Sequence, residues 1–151
     1  MGARFGRPFL SKFFYGQIQL HFKNMKRIIL ISCAAKEINS GAKAKNIYIT
    51  EAFKKSLDYA YLLKPDKIFF LTLNQGLIGV REELLSSAET LDDKDDDEIM
   101  LWADKVLEKL ALEADLQKDE FIFLAGPNYR KYLISHIKNY KISSIGLSLY
   151  F

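Results

Sequence analysis

Apolar residues in this chain gather into three short runs, each ended by a small or polar turn. They are Ile28-Ile29-Leu30-Ile31 before Ser32-Cys33, Ile68-Phe69-Phe70-Leu71 before Thr72-Leu73-Asn74-Gln75-Gly76, and Phe121-Ile122-Phe123-Leu124 before Ala125-Gly126-Pro127-Asn128. Continuous runs of this length and type predict strands buried on both faces, and the intervals of about 40 and 50 residues leave room for a crossover helix. The pattern predicts an α/β fold: a single three-layer domain with a mainly parallel sheet of about four strands flanked by helices. In such sheets ligands collect outside the carboxyl ends of the strands. The three turns are therefore expected to converge on one crevice.

Between the runs the period changes from two to about 3.6. A helix is predicted from Glu51 to Leu63, capped by Thr50, with Ala52, Phe53, Leu57, Ala60 and Tyr61 on one side. Lys64-Pro65-Asp66 ends it, because the residue before proline resists helical dihedrals. Gly76 and Gly79 punctuate a long connection running through Ser86, Ser87 and Thr90. The strongest helical pattern follows, with Ile99, Trp102, Ala103, Val106, Leu107 and Leu110 at i, i+3, i+4 and i+7 spacing. A shorter helix is predicted over Asn128–Asn139, with Tyr129, Tyr132, Leu133, His136 and Ile137 on one face, and a fourth strand over Ile142–Tyr150.

Composition narrows the class. A chain of 151 residues, 49% hydrophobic and 27% charged, fits one soluble globular domain. No segment approaches the roughly 18 consecutive apolar residues of a membrane helix, so no membrane partner is expected. The single cysteine, Cys33, excludes an intrachain disulfide and fits a reducing, cytoplasmic setting. Net charge is +3, but Arg4, Arg7, Lys12 and Lys23 give the acid-free segment 1–24 a charge of +4, which leaves −1 for 25–151. A polyanion partner such as nucleic acid would therefore depend on the tail alone. Met25-Lys26-Arg27 has the form of a natural start just before a strand. On that expectation residues 1–24 are a basic N-terminal extension upstream of a single α/β domain, 25–151.

Candidate chemistry lies in the turns. Ser32 and Cys33 end the first strand where a hydroxyl or thiol would face a crevice, with Lys36 the one obvious local cation to lower a thiol pKa. The alternative is a small buried residue that packs the turn. Asn74, Gln75 and Gly76 offer two amides that could read a nucleobase edge and a glycine that lets backbone approach, or form an ordinary turn. Gly126, Asn128 and Arg130 offer free amides at a helix start and a guanidinium for an anion; equally, Asn128 only caps the helix. Neither GxxxxGK nor GxGxxG occurs. His136 on an apolar face reads as a core residue more than a base, and His21 is weaker still. Two unpaired histidines call for no metal, and no cofactor is implied. The acidic run Asp92–Glu98 is best explained by helix capping, because Asp95 and Glu98 have capping-box spacing.

Several spaced motifs occur in a fixed order: Leu30-Ile31-Ser32-Cys33 with Lys36, Ile47-Tyr48-Ile49-Thr50 with Phe53, Phe70-Leu71-Thr72 with Gly76-Leu77, and Leu124-Ala125-Gly126 with Tyr129. Over about Lys26–Lys138 the chain resembles a group of small α/β proteins of bacteria, archaea and phages, catalogued only as a domain of unknown function. Tyr48 and Tyr129, from those motifs, join the candidate ligand-binding set. The resemblance implies a setting among nucleotide- or nucleobase-handling α/β proteins by association only. Its members usually carry a lysine-rich stretch where this chain has Ala34-Ala35-Lys36-Glu37, a lysine where Asn74 stands, and a proline-tyrosine pair where Ser87-Ala88 stand. They also continue past a glycine-rich strand into a final segment, whereas this chain stops at Phe151.

Two functional expectations follow. The first is an enzyme or enzyme-like domain that binds or processes a nucleotide, nucleobase or modified nucleoside. The second is a catalytically silent interaction or regulatory protein. No reaction type is assigned.

Overall fold

The computed structural model describes residues 24–33, 51–85 and 89–143. Among the described residues the sheet holds five strands, in the order β3-β2-β1-β4-β5. They are β1 (Arg27–Ser32), β2 (Lys67–Thr72), β3 (Gly76–Gly79), β4 (Glu120–Leu124) and β5 (Tyr140–Ile142). Pairing is parallel except between β2 and β3. The fold is α/β, as the three apolar runs predict.

Burial on both faces explains why those runs do not alternate. In β1, Ile28 and Leu30 join a core with Phe69, Leu71, Phe121 and Phe123, while Ile29 and Ile31 join another with Ile68, Phe70, Ile122 and Leu124. Successive side chains of a strand point to opposite faces, so each core lies on one side of the sheet. Helix α1 (Glu51–Leu62) covers one side through Phe53, Ala60 and the half-buried Leu57. Phe53 packs on Phe70 at a ring-centroid distance of 5.2 Å. Helix α2 (Asp96–Glu113) covers the other side through Ile99, Trp102, Ala103, Val106 and Leu110, the stripe read from the sequence. Asp95 caps it, its side chain accepting from the Glu98 amide at 2.9 Å. Acids at Asp96, Asp97 and Glu98 then face the positive end of the helix dipole, the expected use of the acidic run.

The structure departs from the sequence expectations in four places. The connection after β2 contains β3, an antiparallel strand of four residues too short to show a period. The last described strand is Tyr140–Ile142 and not Ile142–Tyr150, of which 144–150 fall outside the described residues. In α1 the buried face includes Ser56 and leaves Tyr61 outward, 53% exposed. The expected helix over Asn128–Asn139 is a single turn, α3 (Pro127–Arg130), followed by a 3₁₀ turn at Ile134–His136. The chain leaves regular helix after one turn, and Tyr129, Leu133 and Ile137 are buried while His136, at the end of the 3₁₀ turn, is exposed. Thr50, the expected cap of α1, is outside the described residues.

Carboxylates pin the amino ends of the strands. Asp119 is 4% exposed and accepts from the Lys26 amide at 2.9 Å and the Asp115 amide at 2.8 Å. Arg27 joins β4 and the α1–β2 connection: its Nε donates to Glu120 at 3.0 Å, its Nη1 to the Leu63 carbonyl at 2.6 Å, and its amide to Asp66 at 2.7 Å. These bonds fix β1 against β2 and β4, and so fix the relative heights of their carboxyl ends.

Candidate functional site

The winding reverses at β1. From β1 the chain crosses through α1 to β2 and turns outward to β3; from there α2 carries it back past β1 to β4 on the other side. Crossovers of one hand that run in opposite directions put their helices on opposite faces, as observed for α1 and α2. The carboxyl ends of β1 and β4 are therefore a topological switch point, the place where a crevice opens in doubly wound sheets. Ile31 pairs with Leu124 in register, which sets Ser32-Cys33 beside Ala125-Gly126.

Ser32 is fully buried. Strand alternation directs its side chain to the α2 side, with Ile28 and Leu30. Cys33 is 7% exposed, belongs to the α1-side core with Phe53 and Ile31, and donates its amide to Leu71 O at 2.9 Å. The two neighbours thus serve opposite faces. Ala125 is buried, and its carbonyl accepts from Arg130 Nη1 at 2.6 Å. Burial pushes the Arg130 guanidinium below its ordinary pKa. At Gly126 an added Cβ would meet no atom of the described residues within 4 Å. Its carbonyl accepts from the Tyr129 amide at 3.0 Å. Tyr129 is 2% exposed; its hydroxyl accepts from the Leu91 amide at 3.2 Å, and its ring meets Trp102 edge-on at 5.7 Å. Asn128 donates to Asp92 Oδ1 at 2.7 Å, which ties α3 to the 3₁₀ turn at Leu91–Asp93.

The second turn goes elsewhere. Because β3 folds back antiparallel from Gly76, the segment Leu73–Gln75 is a hairpin bend and lies against α2. Asn74, Gln75 and Gly76 line a groove of about 800 Å³ with Ile78, Glu98, Leu101, Trp102, Lys105 and Glu108 among its other walls. Ser32, Cys33, Gly126 and Arg130 do not line it. The strand register thus sets two of the three turns side by side, and the third lies apart from them.

The hairpin's polar groups also have structural uses. Gln75 Nε2 donates to Glu83 O at 2.8 Å, and its Oε1 accepts from the Leu85 amide at 2.9 Å, so its amide clamps both sides of the buried Leu84. Thr72 Oγ1 accepts from the Gln75 amide at 3.1 Å, and Thr72 O accepts from Trp102 Nε1 at 2.8 Å. Gly76 has φ +66°, and a Cβ there would come within 3.3 Å of Val106 Cγ2. Glycine is needed for the bend and for close packing of α2. The tie between Trp102 and Thr72 has no local sequence signal, since it joins residues 30 apart. Lys36 and Tyr48 lie outside the described residues.

Among the described residues no group of three or more His, Cys, Asp or Glu side chains is arranged to hold a metal ion. No described helix is long and apolar enough to cross a membrane.

Fold and switch point together define a doubly wound α/β domain. Residues 28–148 match the model of a family described as a family of unknown function (DUF6884), and the chain belongs to that family. Comparison with curated proteins and with solved structures finds no match.

Proposed function

We propose that this protein binds a nucleobase, nucleoside or nucleotide in the crevice outside the carboxyl ends of β1 and β4. The supporting observation is the reversal of the parallel strands at β1, in the order β2-β1-β4-β5 with β3 added antiparallel at the edge, because open α/β sheets bind ligands outside the strand ends at such a switch point. The turn after β1 is Ser32-Cys33, without the glycines that bring backbone amides against a phosphate chain. Recognition is therefore assigned mainly to the base and sugar. Gly126, where no described residue would crowd an added Cβ, lets the ligand approach the backbone, and the buried Ser32 is assigned to the floor of the site. Lys36 and Tyr48, which follow β1 in the chain, complete the proposed set.

Thermal unfolding of the full chain against bases, nucleosides and nucleotides tests this directly. A ligand at a hundred times its Kd adds about 2.7 kcal/mol to stability. The expected result is a shift from nucleosides or bases that inorganic phosphate does not reproduce. A flat response across the panel would sink the proposal. The competing assignment, a catalytically silent interaction protein, draws support from Gln75, Asn128 and Arg130, whose polar groups are engaged within the protein.

A further inference from the structure

Arg130 is a half-buried cation with no counter-charge among the described residues. Burial lowers the pKa of its guanidinium, and no described carboxylate stands close enough to offset that cost. Its Nη1 donates to the Ala125 carbonyl at 2.6 Å, a bond that uses one of five N–H donors. The bond also fixes where the group stands. The Ala125 carbonyl belongs to the peptide that leads into Gly126, so Nη1 lies within about 6 Å of the Gly126 Cα. That is the turn after β4 at the switch point, where no described residue would crowd an added Cβ. The other cation of the segment is already used, because Lys131 Nζ holds the Asp96 carboxylate at 2.6 Å. Asn128 holds a second carboxylate, Asp92, at 2.7 Å.

We propose that Arg130 receives a single phosphate monoester, so that the ligand of the crevice is a nucleoside monophosphate. The proposal rests on the crevice being the nucleobase, nucleoside or nucleotide site and selects one member of that class. A guanidinium presents its donors as a planar fork that matches two oxygens of one phosphate. The carbonyl anchor holds that fork in place beforehand, so less side-chain freedom is lost when the ligand arrives. A phosphate also supplies the negative charge that the half-buried cation lacks in the free protein. Further phosphates would find no second free cation in the segment 126–131, and the carboxylates of Asp92 and Asp96 held against it would repel them. One fork adds to the hold on a ligand already placed by its base and sugar, so inorganic phosphate alone should not bind measurably.

Isothermal titration of the full chain with the common ribonucleosides, their monophosphates, their triphosphates and inorganic phosphate tests the assignment. At least one monophosphate is expected to bind about tenfold or more tightly than its own nucleoside, the advantage of one charge-assisted pair. The triphosphate should gain nothing further, and the advantage should shrink as salt is raised. Arg130→Gln should bring monophosphate and nucleoside to within about twofold of each other, while Arg130→Lys, which keeps the charge and loses the fork, should retain part of the preference. Circular dichroism confirms that each variant is folded. A nucleoside that binds as tightly as its monophosphate, a triphosphate that binds more tightly than the monophosphate, or an Arg130→Gln variant with the full preference would overturn the role of Arg130 and leave the crevice as a base and sugar site. No binding from the whole panel would overturn both.

Discussion

Replacing Gln75 by leucine separates a structural from a ligand-reading role for the second turn. The Gln75 amide makes two bonds to the chain on either side of Leu84, which is 1% exposed. Each bond contributes about 0.5–1.5 kcal/mol net. Gln75 is half-buried, so water recovers part of what the leucine variant loses, and the expected cost is about 1–2 kcal/mol. For a chain of this length that lowers Tm by roughly 2–8 °C. The loss should be local: the segment around Leu84 loses its anchor, so hydrogen exchange should accelerate at the Leu84 and Leu85 amides more than in β1. Calorimetry together with residue-resolved exchange measures both quantities. A Gln75→Leu protein with wild-type Tm and wild-type exchange at those amides would refute the clamp and return Gln75 to the pool of ligand-facing groups.

Three further outcomes are expected. Trp102→Phe leaves the buried Thr72 carbonyl without its donor and should cost about 2 kcal/mol or more, seen as a lower urea midpoint at unchanged m value. Gly76→Ala forces a left-handed φ of +66° on a residue with a Cβ and crowds Val106, so it should destabilise by about 1–2 kcal/mol in the same assay. Hydrogen bonds from Lys131 and Tyr132 hold the Asp96 carboxyl below its ordinary pKa. Its contribution to stability is thus complete above the unfolded carboxylate pKa of about 3.9 and is lost as pH falls through the lower folded value; Asp96→Asn should flatten the acid limb of a stability-versus-pH curve.

The buried sheet was legible because its strands are apolar on both faces, and no polar alternation obscured Ile28–Ile31, Ile68–Leu71 or Phe121–Leu124. Helix α2 was equally plain, its apolar stripe following one period over 18 residues. Strand β3 escaped because Gly76-Leu77-Ile78-Gly79 is bounded by glycines and reads as a connection. Missing that strand had a functional cost. Without it the Asn74-Gln75-Gly76 turn belongs with the other strand ends; with it the turn is a hairpin bend against α2. The candidate site was legible only as a position. Partners such as Leu91 for Tyr129, Asp92 for Asn128 and Glu83 for Gln75 are set by tertiary approach, and no local spacing announces them.

Amide chemical shifts followed through a titration with nucleosides and bases test the placement of the crevice most directly. Binding at the switch point should move the amides of Ser32, Cys33, Ala125 and Gly126 together and saturably, with little change at Gln75 or along α2. Saturable shifts confined to the groove between the β2–β3 hairpin and α2, or none anywhere at millimolar ligand, would contradict it.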